Sequence, residues 1–115
     1  MGDANPLETF GYVARELGRR KIAFICARER QGPDSIGPEL KKAFGGLYVA
    51  NEKFTLESGN AILASGDADA VAYGVPYIAN PDLPERFAQG AALNAADPTT
   101  FYADGPVGYT DYPTL

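Results

Sequence analysis

The chain has 115 residues, a net charge of −5, one cysteine and no histidine. One domain of this length buries roughly two thirds of its unfolded surface. An acidic balance with no basic block argues against nucleic acid as a partner, because phosphate neutralisation needs clustered Lys and Arg. No apolar run reaches the roughly 18 residues of a membrane span. A chain without histidine lacks the commonest neutral-pH acid–base group and metal ligand, and with a single cysteine it offers no zinc set. Cys26, flanked by Ile25 and Ala27, reads as a buried strand thiol in a reducing, cytoplasmic compartment.

In chain order, Pro6 to Leu17 reads as a helix. Phe10, Val13, Ala14 and Leu17 recur at helical spacing, and Gly18 is placed to end it. Ile22 to Ala27 is an apolar run expected to be a strand buried on both faces. Arg28, Glu29 and Arg30 follow at the carboxyl end of the strand, where barrel sites form, but charge alone is not specific and they read as a solvated loop; Gln31 to Gly37 is then a polar loop. Pro38 to Phe44 is expected to be a short helix.

The same alternation then repeats. Leu47 to Ala50 is a second strand. Thr55 is a cap for a helix from Leu56 to Ala64, with Glu57 in its first turn and Gly66 at its end. Ala70 to Tyr73 is a third strand, and Pro81 to Phe87 a third helix with Asn80 as its cap. Such regular alternation implies an α/β fold of parallel βα units. Beyond Leu93 the pattern fails. The segment from 94 to 115 is rich in Pro, Gly, Asp and aromatics, and reads as an irregular tail packed on the rest. Three units fall short of the eight that close a barrel. They form either a small open sheet or a piece of a barrel.

The stretch DADAVAYGVPYIANPDLPERF, the segments ALN at Ala92–Asn94 and DPTTFY at Asp97–Tyr102, and the ending GYTDYPTL resemble the old yellow enzyme family of flavin-dependent ene-reductases. VANEKFT, Val49 to Thr55, resembles that family's preceding strand and phosphate loop. The resemblance implies the last three strands and helices of a TIM (β/α)8 barrel plus an irregular tail over it, 1–115 being the C-terminal third. It implies FMN as cofactor and NAD(P)H as reductant, with hydride passing through flavin to an activated alkene. It also implies a partner, the missing N-terminal part of the barrel.

The same resemblance sets Gly74 and Val75 at the FMN phosphate, where Val75 stands in place of a common arginine. Glycine allows close backbone approach, while a plain tight turn is the alternative. It sets the amides of Glu52 and Lys53 at the same phosphate, with Lys53 supplying the charge that Val75 does not, unless it is merely a solvated lysine. Tyr109 corresponds to a substrate-pocket tyrosine; Tyr112, Tyr102 and Phe101 are expected to pack or anchor the tail. No catalytic group of the family falls within these residues, so the chain by itself is expected to be inactive. The other reading is a stand-alone βα module that self-associates or binds partners through apolar strand edges and one bare sheet face.

Overall fold

A computed structural model describes residues 3–115. They divide into two compact units, the first reaching to Ala72 and the second spanning Tyr73–Leu115.

The first unit holds a three-stranded parallel sheet, β1 (Phe24–Arg28), β2 (Leu47–Asn51) and β3 (Ala70–Ala72), in that spatial order. The register runs Phe24↔Leu47 to Arg28↔Asn51 on one side of β2 and Val49↔Ala70 to Asn51↔Ala72 on the other. Helices α1 (Pro6–Arg19), α2 (Gly37–Phe44) and α3 (Leu56–Ser65) complete the unit. Tyr48 and Ala50 point to the helix layer and are buried with Leu40, Phe44, Phe54, Ala14 and Ala68. The opposite face carries Phe24, Cys26 and Leu47, all exposed. Side chains alternate across a strand, so one face of the sheet is covered and the other is bare.

This corrects the expectation for β1. The strand starts two residues later than the apolar run, its burial alternates, and Cys26 is exposed. An apolar run says that both faces favour cover, but among the described residues only one face receives it.

Helix α3 keeps its expected signals. The Thr55 side chain accepts a hydrogen bond from the Ser58 N–H and the Ser58 hydroxyl accepts from the Thr55 N–H, a reciprocal cap. Gly66 closes the helix in the left-handed region. Gly18 does not end α1. It lies within the helix, where a Cβ would stand 2.3 Å from the Phe44 carbonyl oxygen. Its lack of a side chain lets α1 pack against the end of α2.

The second unit contains α4 (Val75–Ala79), α5 (Leu83–Gln89) and a single 3-10 turn, Pro98–Thr100. Helix α4 has no counterpart in the sequence expectation, and α5 starts two residues after the expected Pro81. Asn80 is not the cap of α5. It ends α4, donates to the Pro76 carbonyl at 2.8 Å and accepts from the Asn94 N–H at 2.7 Å.

The tail is irregular, as expected, and is held by side chains from the helices. Buried Arg86 pairs with Asp82 at 2.8 Å and donates to the carbonyls of Ala92 and Pro113. Asn94 donates to the Ala79 and Pro113 carbonyls. Tyr112 accepts from the Asp97 N–H, a structural role, whereas Tyr102 is 99% exposed and anchors nothing.

Candidate functional site

In parallel α/β folds, sites form where the chain leaves the carboxyl ends of the strands. At the end of β2 the chain leaves regular geometry. Glu52 has φ 115° and Lys53 φ 55°, two successive residues with a Cβ in the region that favours glycine. Residues held there mark positions where the surroundings over-determine the backbone, and such positions gather at functional sites. Phe54 is then buried and Thr55 starts α3, so the bend is short and fixed at both ends.

The end of β1 lies beside this bend. The Glu29 N–H donates to the Asn51 carbonyl at 3.0 Å, continuing the ladder one residue past β1. The Arg28 guanidinium pairs with the Glu52 carboxylate. That hydrogen bond holds the Glu52 carboxyl below the usual carboxylate range. Lys53 is exposed.

Glu29 is no solvated loop residue. Its carboxylate accepts from the Ile36 N–H at 2.7 Å, the Gly37 N–H at 3.2 Å and the Ser35 hydroxyl. It fixes the 31–37 loop and caps the start of α2, where a negative charge is favourable. Helix α2 has no side-chain cap of its own, and the sequence gives no signal that Glu29, eight residues before its start, serves there.

In the second unit Gly74 precedes α4, with φ −90°. A Cβ there would meet nothing within 4 Å. Neither the backbone nor the neighbouring atoms of this chain demand glycine at 74. Val75 is the first residue of α4 and is exposed, so no cation stands at that position. Tyr109 follows Gly108 in a turn in which its N–H donates to the Pro106 carbonyl at 3.0 Å, and it is 81% exposed. Nothing within the unit encloses it as a pocket would.

A cavity of about 440 Å³ lies elsewhere in the first unit, between the 31–38 loop and α3. Tyr48, Phe54, Ser58 and Ile62 line it, and none of the residues expected at a site does. Burial pushes the Tyr48 phenol up to about 12, so it remains a neutral hydroxyl at physiological pH. Among the described residues no helix is long and apolar enough to cross a membrane.

No family model matches the chain. Individual proteins do. It is 38% identical to 12-oxophytodienoate reductase 2 of Arabidopsis thaliana, over 99% of this chain and 33% of the relative. Among solved structures, the old yellow enzyme homologue NCR from Zymomonas mobilis superposes with a TM-score of 0.92 at 39% identity, over 98% of this chain and 34% of the other. Morphinone reductase in complex with tetrahydroNAD does so with a TM-score of 0.91 at 43% identity, over 99% of this chain and 32% of the other. The chain thus spans about a third of the length of the relatives it matches. Its three parallel strands and their helices superpose on about a third of the old yellow enzyme homologue. Along nearly the whole of its length this chain is similar in sequence and in fold to about a third of the length of proteins of the old yellow enzyme family.

Proposed function

We propose that the chain is the C-terminal part of an FMN-dependent ene-reductase and contributes its phosphate site. The observation that carries this is the Glu52–Lys53 bend at the carboxyl end of β2. A strand that ran straight on would alternate its N–H groups between its two sides. Successive left-handed residues break that alternation and favour the concave array of amides that receives an anion. The residues fit a phosphate: Lys53 brings an exposed cation, and the Glu52 carboxylate is already paired with Arg28. Within the second unit, the space about Gly74 is open and Val75 adds no charge.

FMN, when bound, supplies transfer of hydride from NAD(P)H to an activated alkene. The chain's own residues bind and orient its phosphate end, and Tyr109 lines the substrate side. The catalytic groups come from the missing N-terminal part of the barrel, which is the partner. The reducing cytoplasm suits the lone, exposed Cys26.

The test mixes this chain with FMN, with and without that N-terminal part. Flavin retained only in the presence of the partner is the expected result. In the assembled barrel Gly74→Leu raises the FMN dissociation constant by about tenfold, the equivalent of about 1.4 kcal/mol. Unchanged affinity counts against the phosphate site.

A second reading has its own observation. The bare sheet face with Phe24 and Leu47 (55% and 58% exposed) suits a stand-alone module that self-associates into a homo-oligomer. Sedimentation that shows a stable dimer, with no flavin retained alongside the N-terminal part, favours this reading over the first.

A further inference from the structure

Glu52 poses a physical question that the phosphate reading leaves open. Glycine takes φ 115° freely, and a residue with a Cβ takes it only when its surroundings hold it there. Two restraints converge on it. The preceding carbonyl, of Asn51, is tied to β1 by the Glu29 N–H at 3.0 Å. The side chain is tied to β1 by Arg28, the last residue of that strand and the register partner of Asn51. The two sides of this pair differ. The Glu52 side chain is 17% exposed and that of Arg28 is 79% exposed. The carboxylate therefore sits at the surface of the fold, and the guanidinium closes over it from outside.

We infer that Arg28 is a positioning residue for the phosphate site: by holding the Glu52 carboxylate, it keeps Glu52–Lys53 in the bend that presents their amides. This rests on the phosphate reading above. It differs from a direct ionic role. The Arg28 charge is compensated by Glu52, so the cation offered to phosphate at this bend is Lys53. An aspartate at 52 would carry the same charge on a shorter stem, and glutamine would keep the length without the charge. Neither maintains both.

The test is a mutant cycle with two readouts. The first is the ¹⁵N–¹H spectrum of the 115-residue chain, in which the amide signals of Glu52 and Lys53 report the bend. The second is the FMN dissociation constant of the barrel assembled from this chain and the missing strands. Arg28→Gln shifts or splits the two amide signals and raises the dissociation constant by about three- to fivefold, the range open to a pair exposed on one side. Arg28→Lys recovers most of both. In a Glu52→Gly background, where the backbone takes the bend unaided, Arg28→Gln has no further effect on either readout.

Two results overturn the inference. One is amide signals that ignore Arg28→Gln. The other is a loss of FMN affinity on Arg28→Gln that is equally large with and without the Glu52→Gly change, which assigns Arg28 to the ligand instead of to the bend. A different result separates the inference from the reading beneath it. If the amide signals follow the cycle while FMN affinity ignores every variant at 28, 52, 53 and 74, the positioning role is upheld and the phosphate site falls.

Discussion

Asp69 shows how little a side chain's neighbours in sequence say of its partners. With Asp67 it flanks a helix end and a strand start, and nothing in the sequence supports reading the two as a catalytic carboxylate pair. Its carboxylate accepts from the Tyr48 N–H at 2.9 Å and from the Lys41 ammonium at 3.3 Å. The Tyr48 N–H chiefly, then Lys41, hold its carboxyl below the ordinary aspartate value. A depressed value in the folded state means stability that is present above the unfolded value of about 3.9 and is lost as pH falls through the lower folded value. Asp69→Asn therefore lowers the melting temperature by a few degrees at pH 7. Scanning calorimetry from pH 7 to about pH 2 should show the gap to the unaltered chain closing on acidification. A constant gap at every pH would mean that the charge is irrelevant. Neither Asp69 nor Glu29 announces its partners in the sequence, because these lie 21 residues away in one case and across a loop in the other. Glu52 and Lys53, by contrast, are singled out by resemblance alone. Nothing in the letters NEKF foretells two left-handed residues, since neither is glycine or asparagine.

The elements were more legible than their boundaries. Helix α3 carries its start and stop in local chemistry, with Thr55 before it and Gly66 after it. The parallel order of the strands follows from the alternation itself, because each strand is followed by a helix that returns the chain. Helix α4 escaped notice because five residues containing a proline show no period. Gly18 was misread for a reason that generalises: glycine at a helix end and glycine at a helix crossing look the same in sequence. At this crossing the obstacle is a backbone carbonyl, which cannot rotate away as a side chain would. Gly18→Ala gains helix propensity of about 1 kcal/mol and loses about 1–3 kcal/mol to the forced separation of α1 and α2. The expected net result is a lower urea midpoint with an unchanged slope. A raised midpoint would show that α1 shifts freely.

At the scale of the whole molecule the chain spans about a third of the length of the relatives it matches. Hydride transfer needs reacting atoms held about 3–3.5 Å apart, which requires the flavin ring to be held as well as its phosphate. The chain offers a bend, a turn and an exposed Tyr109, and no histidine to polarise an enone carbonyl. The expected outcome is no NAD(P)H-dependent reduction of cyclohexenone by the chain alone with excess FMN, followed spectrophotometrically against free flavin. Turnover above that background would refute the proposed division of labour between this chain and an N-terminal part. The tail adds a dimension of time. Arg86 and Asn94 both terminate on the Pro113 carbonyl, which lies 27 residues after the first of them. On a ribosome adding about 5–20 residues per second, Arg86 is made one to several seconds before its acceptor. Through that interval a guanidinium destined for burial must stay hydrated, and α5 cannot settle. The second unit is thus barred from maturing vectorially. Its closure waits for the synthesis of Pro113, and a nascent chain stalled before that residue would remain open to chaperones and proteases.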